Sequence, residues 1–596
     1  MRKFILAFLV VVLIVMLGVT YVLKQFQQTA DLSYSKLQSV QSTVVYDKND
    51  RKIDELYKTV PRQNVSSNEI PDYVKMAFVA TEDRRFYKHF GIDLQGIGRA
   101  LFKNIVTMSK AEGASTITQQ LARNLYLSSD KTIKRKVDEM FLSLGLERQF
   151  TKDQILELYL NQIYFGSGVY GIGAASQIYF NKPVSDLTVG EAALLAGLPK
   201  APSTYSPSNS TEKATARRNV VLKLMHDQNV ISDTQYQQAL NERVVEPSIP
   251  VKKPNSNQAF IDYVIKEAAQ QYGVSADDLY KGGYAIYTDL DPNLQESINN
   301  SVANHTFRDD AINSKVEVGI SAVNPKTGGI SAMYGGRSYE RNGLNRATSG
   351  YQLGSAIKPL AVYGPALETG DYTPTSLLSD ERQDFGGGYS PKNAEGEYQK
   401  HVTMREALTR SLNVPAVWLL KQIGIDTSAK FMEKAGLPLE DDDKSKLGLA
   451  LGGTTTTFSP LQLAQGYTTF ANKGVMTKPY AIRKIEMRDG EVKKPDIQTE
   501  RVMSEENADT MTSMLQDVIE KSYGTGVNAR SSRDAAGKTG TTNDVKDAWF
   551  VGYTDDAVVS IHAGFDNANS TQTTKYLSGG GGKDPATLFS SIMNNW

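Results

Sequence analysis

The chain has 596 residues, 40% of them hydrophobic, which is too long for one ordinary domain and suits three or four units with real cores. Lysine plus arginine balance aspartate plus glutamate at 66 each, so nothing global points to nucleic acid or an acidic polymer as partner. The lack of cysteine excludes disulfides, thiolate metal sites and a cysteine nucleophile, and five scattered histidines without a His-x-x-x-His pair offer no zinc spacing.

The first predicted element is residues 4–23, an uncharged and predominantly apolar run of twenty. At 1.5 Å per residue it spans a hydrocarbon core of about 30 Å. Arg2 and Lys3 precede it, so the positive-inside rule keeps the first residues cytoplasmic and places everything after Lys24 outside. The run exceeds a usual signal-peptide core and no Ala-x-Ala site follows closely, so 1–24 reads as a stub and an uncleaved single-pass anchor. Residues 25–65 are polar and mixed, a stalk with a short extended piece at 42–46.

Helical patterns dominate 66–230. Thr151-Lys-Asp-Gln154 is a capping-box start for the run Ile155, Leu158, Tyr159, Ile163, and Thr188-Val-Gly-Glu191 opens a helix that Pro199 and Pro202 stop. Residues 231–314 read as a linker region, with a proline-rich connector at 246–257 and a strand at 282–288. From 315 to 596 strand signals such as 316–323 alternate with helical stretches, one starting at Ser459-Pro460, so that part is α/β. No internal repeat is visible.

The helical unit carries one chemical constellation. Glu82-Asp83-Arg-Arg-Phe-Tyr-Lys-His89-Phe-Gly91 is followed by Gly113-Ala-Ser-Thr-Ile-Thr-Gln-Gln120, Arg135-Lys136-Val-Asp-Glu139 and Glu157-Leu-Tyr-Leu-Asn161. Two carboxylates, polar side chains between them and a basic cluster beside the second match the needs of inverting glycosyl transfer: a general base on the attacking hydroxyl, and cations for a departing phosphate. Glutamate and lysine on helices are also ordinary solvated pairs, so these residues alone leave both readings open. His89 reads as a structural hydrogen-bonding residue, because two carboxylates already fill the acid and base roles. Leu94, Ile97, Leu101, Phe102, Ile105 and Met108 form an apolar stripe at helical spacing. It fits a core-packed face and a membrane-interface face equally.

The α/β part carries a second set: Ser355-Ala-Ile-Lys358, Ser411-Leu-Asn413 and Lys538-Thr-Gly-Thr541. Each is weak alone, but in this order they form the signature of penicillin-recognising acyl-serine enzymes. A serine and a lysine three apart on a helix share a face, so the amine can reach the hydroxyl.

With residues 193–199 (Ala-Leu-Leu-Ala-Gly-Leu-Pro) as a fifth block, the helical blocks resemble the peptidoglycan glycosyltransferase domain, and the later triplet resembles a transpeptidase. The run Asp547-Ala-Trp-Phe-Val-Gly-Tyr553 is typical of the same group, so nearly the whole chain resembles a class A penicillin-binding protein. Leu353 replaces a proline often found two before the nucleophile, Ala114 replaces a common glycine, and Leu412 stands where β-lactamases have Asp.

The resemblance implies a mainly α, lysozyme-like glycosyltransferase domain, a small mixed linker and an α/β transpeptidase domain like the serine β-lactamases. It implies Glu82 as general base on the lipid II 4-hydroxyl, with undecaprenyl pyrophosphate leaving, and Glu139 assisting at the pyrophosphate side. Arg123, Arg135 and Lys136 would stabilise that leaving group, with Ser115, Thr116, Gln119, Gln120 and Asn161 as further substrate contacts. No cofactor is obligatory, and Asp83 is the candidate ligand for a divalent Mg or Mn ion. Ser355 would attack the penultimate D-Ala carbonyl of a stem pentapeptide, with Lys358 as base and Ser411 and Asn413 relaying the proton and orienting the donor. Lys538, Thr539, Gly540 and Thr541 would hold the substrate carboxylate, and the N–H groups of Ser355 and Thr541 would form the oxyanion hole.

The implied partners are lipid II and the undecaprenyl-linked glycan, stem pentapeptides, the bilayer, β-lactams and moenomycin as inhibitors, and cell-wall synthesis or division proteins. No nucleic acid is among them. A lytic transglycosylase needs one acidic block, not two with a basic cluster. A β-lactamase or carboxypeptidase has no use for 66–230. A β-lactam sensor or scaffold would have lost Glu82 or Lys358.

Overall fold

The structure, a computed structural model, describes residues 42–57, 63–99, 115–126, 133–247, 255–307, 315–488, 490–542, 545–566, 577 and 582–596. The expected anchor at 4–23 and the stripe from 101 to 108 lie outside these. Among the described residues no helix is long and apolar enough to cross a membrane.

The N-terminal part is mainly helical. Helices Asp72–Glu82, Ile117–Tyr126, Ile133–Gln149, Lys152–Gln162, Ile172–Phe180, Val189–Gly197 and Thr211–Asp227 surround one core that includes Phe78, Phe86, Tyr159 and Phe165. Two of their starts follow from local sequence. Thr151 accepts from the Gln154 N–H at 3.3 Å while Gln154 Oε1 accepts from the Thr151 N–H at 2.9 Å, and Thr188 and Glu191 repeat the arrangement. Helix Val189–Gly197 ends two residues before Pro199, where the ring would block continuation.

A five-stranded sheet joins the two halves, in the order Val492–Lys493, Ile482–Glu486, Ala285–Thr288, Thr43–Tyr46, Lys52–Leu56. Residues 43–56, within the segment expected to be a stalk, are therefore a hairpin in this sheet, and 482–493 reach it from deep inside the α/β part. Local periodicity shows that such segments are extended but not what they pair with. Arg488, in the turn between two of these strands, donates to Asn124 O at 3.2 Å on helix Ile117–Tyr126, so the sheet touches the helical part directly.

The C-terminal part is built on an antiparallel sheet ordered Ala536–Thr541, Asp547–Tyr553, Val558–Phe565, Val316–Val323, Ile330–Tyr334. Helices Pro292–Asn304 and Lys583–Asn595 cover one face. Helices Pro460–Ala471 and Glu505–Glu520 and the turns after Leu353 pack on the other. Helix Pro460–Ala471 starts as read from sequence, with Ser459 capping and proline at its first position. Ala536–Thr541 is an edge strand, and it forms one wall of the serine site.

Candidate active sites

In the helical part, Glu82 ends helix Asp72–Glu82 and Gln120 projects from helix Ile117–Tyr126 to meet it, Nε2 donating to Glu82 Oε2 at 3.0 Å. The buried Tyr159 hydroxyl in turn donates to Gln120 Oε1 at 3.3 Å, which fixes the amide's orientation. Burial raises the Glu82 carboxyl above its usual range, against the opposing pull of the Gln120 hydrogen bond and of Arg217, Lys200 and Arg123 nearby.

Arg123, three residues beyond Gln120 on the same helix, lies 3.9 Å from Glu139 Oε2. Glu139 is itself buried, and its other oxygen pairs with Lys136. Lys136 also donates to Ser115 Oγ at 2.9 Å, and Arg135 sits half-buried beside it on helix Ile133–Gln149. One helix face thus links the two carboxylates. Glu82 has a raised affinity for protons, whereas Glu139 is matched with two cations.

Four other expected site residues have their polar atoms taken up locally. Thr116 and Gln119 cap helix Ile117–Tyr126 for each other, and the Thr116 hydroxyl donates to Gly91 O at 2.6 Å. Asn161 accepts from the Val65 N–H and donates to Val65 O, both at 2.9 Å, pinning the incoming chain. Both Asp83 oxygens lie 3.0 Å from His89 Nε2, and one also accepts the Ile117 N–H. His89 is thus a structural partner, as its sequence reading has it. Asp83 does not fit a metal: its oxygens are engaged, and among the described residues no group of three or more His, Cys, Asp or Glu could hold an ion.

Motif reading passes over Lys200 and Arg217. The signal was a basic residue directly after the 193–199 block, but the placement of Arg217, whose Nε donates to Gly197 O at 3.2 Å, has no local signature.

At the second site, Ser355 and Lys358 do not share an ordinary helix turn. Gly354–Ile357 is a 3-10 turn, followed by a π turn at Pro359–Tyr363 and an α-helix at Gly364–Thr369. Gly354 has φ +53°, and a Cβ there would fall 2.2 Å from Thr541 O, so only glycine lets the nucleophile turn approach the edge strand. Gly540 plays the reciprocal part: a Cβ on it would meet Leu353 O at 2.6 Å and Ala356 at 2.8 Å.

Lys358 Nζ is buried, and among the described residues its hydrogen bonds go to Ser411 O at 2.7 Å, Ser411 Oγ at 3.4 Å, Leu412 O at 3.1 Å and Asn413 Oδ1 at 2.8 Å. Ser411 has φ +55°, a left-handed conformation costly for serine, which turns both its carbonyl and its hydroxyl toward the amine. Lys538 Nζ donates to the same hydroxyl at 2.7 Å and to Thr539 O at 3.0 Å. Burial, and then the neighbouring Lys538, hold the Lys358 amine well below its usual range, and burial lowers Lys538 to about 7. The Ser411 hydroxyl therefore bridges two amines whose charged forms are both disfavoured. Thr539 Oγ1 lies 2.7 Å from Thr525 Oγ1.

Asn393 is a second omission. Its Oδ1 accepts the N–H groups of Asn413 and Val414 at 2.9 and 3.1 Å, its Nδ2 donates to Asp380 at 2.7 Å, and Lys392 O accepts from Asn413 Nδ2 at 2.8 Å. Together these leave Asn413 Oδ1 facing Lys358. Nothing in a loop sequence beside Gly386–Gly388 marks that contact in advance.

A family model described as transglycosylase matches residues 49–226, and one described as penicillin binding protein transpeptidase domain matches 318–594. Penicillin-binding protein 1F of Bacillus subtilis (strain 168) is 43% identical over 93% of this chain and 77% of its own length. Penicillin-binding protein 4 of the same organism is 33% identical over 92% of each chain. The crystal structure of penicillin-binding protein 1A from Haemophilus influenzae has the same fold, with a TM-score of 0.59 at 23% identity, covering 93% of this chain and 92% of that one.

Proposed function

Because this chain belongs to the class A penicillin-binding proteins and is a bifunctional transglycosylase and transpeptidase of peptidoglycan synthesis, we propose specific roles for its residues. Glu82 takes the proton from the 4-hydroxyl of lipid II, which attacks the anomeric carbon of the growing chain with inversion and expels undecaprenyl pyrophosphate. Its raised proton affinity supports that role, since burial makes a carboxylate a stronger base. Arg123, Lys136 and Arg135 meet the pyrophosphate, with Glu139 holding the first two in place. Lys200 and Arg217 add positive charge on the Glu82 side. Asn161, Thr116, Gln119 and Asp83 support the site's framework.

Ser355 forms the acyl-enzyme and releases terminal D-Ala. Lys358, its amine held well below its usual range by burial, accepts the Ser355 proton, and the Ser411 hydroxyl passes it to the departing D-Ala amine while Asn413 Oδ1 orients Lys358. Lys538 with Thr539 and Thr541 holds the donor carboxylate, and the N–H groups of Ser355 and Thr541 face the oxyanion. The observation that supports this assignment is the Ser411 hydroxyl set between two buried amines whose charged forms burial disfavours.

Residues 4–23 anchor the chain once in the bilayer, type II, with both catalytic parts outside the cytoplasm. Phe90, 81% exposed, and Leu94, 76% exposed, support a stripe that enters the membrane interface beside the lipid-linked substrate. β-Lactams act at Ser355 and moenomycin at the Glu82 site, with other cell-wall synthesis or division proteins as partners.

Lipid II turnover with polymer and cross-link read separately tests the assignment, alongside labelling by a fluorescent penicillin. Ser355→Ala is expected to abolish labelling and cross-linking while polymerisation continues. Labelling that persists in that variant would put the nucleophile elsewhere.

A further inference from the structure

The strands behind the serine site hold a buried histidine for which the chemistry above has no use. His562 lies on Val558–Phe565 opposite Trp549 and is only 3% exposed. Its ring stacks on Tyr351, centroids 3.7 Å apart and planes 16° apart, while Nε2 meets Asp547 Oδ1 at 2.9 Å. A carboxylate only accepts, so Nε2 is the donor. Among the described residues the buried Nδ1 has no partner. An orphaned buried nitrogen is destabilising, and a phenylalanine would stack without that cost. The position therefore uses the ring's donor as well as its face.

The two neighbours of His562 belong to different walls of the site. Tyr351 stands four residues before Ser355, and its backbone exchanges hydrogen bonds of 3.0 and 2.9 Å with Phe458. Trp549 Nε1 donates to Gln352 O at 2.8 Å in the same segment. Asp547 closes the loop after Thr541: its N–H donates to Thr542 Oγ1 at 2.9 Å, its carbonyl accepts from the Thr542 N–H at 3.1 Å, and its Oδ2 lies 3.3 Å from Thr542 Oγ1. His562, like Trp549 on the neighbouring strand, touches both walls, and it alone of the two bonds to the Asp547 carboxylate among the described residues.

We propose that His562 is a positioning residue for acylation, which ties the Tyr351–Ser355 segment to the Thr541 end of the edge strand and so sets the distance between nucleophile and oxyanion donors. A misplacement of 1 Å in such a constellation can cost about a hundredfold in rate. The inference rests on Ser355 being the acylated residue.

The test is stopped-flow acylation of the full-length protein by a fluorescent penicillin, separating noncovalent binding from the first-order step. Mass spectrometry locates the labelled peptide, and lipid II polymerisation is measured on the same preparations. His562→Phe, which keeps the stack and loses the donor, is expected to slow the acylation step about tenfold, the scale of a lost hydrogen bond to a charged group. Noncovalent binding should change by less than about threefold, and polymerisation not at all. Asp547→Ala should give a similar loss, and the double variant should be no worse than the poorer single, because both remove the same bond. His562→Gln, which can still donate to Asp547, should recover part of the rate.

Wild-type acylation in His562→Phe overturns the inference, as do additive losses in the double variant. A parallel fall in melting temperature, binding and acylation also overturns it, since His562 would then only support the fold. A wild-type label on a peptide other than that of Ser355 would instead strike at the acyl-serine assignment, and the peptide itself distinguishes the two failures.

Discussion

The residues proposed as bases in the two regions, Glu82 and Lys358, are shifted by the same physical means applied to opposite charges. At Glu82 burial disfavours the carboxylate and raises its proton affinity, while Gln120, Arg217, Lys200 and Arg123 keep the rise in check. At Lys358 burial disfavours the ammonium and, with Lys538 beside it, holds the amine well below its usual range. Desolvation always penalises the charged form, so it strengthens an acidic residue as a base and turns a cationic one into a base. The lesson is that the lysine site needs a second lysine and tight enclosure, whereas the glutamate site needs neighbouring cations to keep its base ionised.

Removing each base separates the two regions most sharply. Lys358→Ala should slow penicillin acylation by about 10³-fold, within the range of lost general-base catalysis, and leave lipid II polymerisation unchanged. Glu82→Gln keeps shape and removes the basic lone pair, so polymerisation should fall by roughly a hundredfold or more while Ser355 is acylated normally. Moenomycin binding by that variant, measured by fluorescence displacement, should persist. Loss of both activities in either variant would break the separation.

A smaller effect sharpens the contrast through pH. Lys538, lowered to about 7, is mostly charged at pH 6 and mostly neutral at pH 8, so its grip on a carboxylate weakens as pH rises. Noncovalent penicillin binding should drop about tenfold across that interval, following the protonated fraction. Glu82, raised by burial, gains its basic form as pH increases, so polymerisation should rise through a limb above the ordinary glutamate range. Rate profiles of the same shape in the two assays would refute the opposed-charge account.

The smallest catalytic effect is expected at Asn161. Asn161→Ala removes two hydrogen bonds to Val65 and should cost ~1–3 kcal/mol of stability in chemical denaturation, while turnover of lipid II at permissive temperature stays within about twofold. A turnover loss without a stability loss would return Asn161 to substrate contact.

Much was legible in the residues themselves. Both motif sets, their order, the caps at Thr151, Thr188 and Ser459 and the change from helical to α/β character are local patterns, and local patterns survive in one dimension because a cap or a strand alternation involves residues a few positions apart. The sheet that gathers 43–56, 285–288 and 482–493 had no such signal, because strand partners are chosen by fit across hundreds of residues. The same holds within the sites. Sequence named Glu82, Lys358 and Ser411 but not which polar atoms were already engaged, so Asn161 and Thr116 looked alike to Gln120. Only the folded chain brings Arg217 to Glu82, Asn393 to Asn413 and His562 between Tyr351 and Asp547. The physical reason is that proton affinity and orientation depend on burial and on partners, and both are properties of packing.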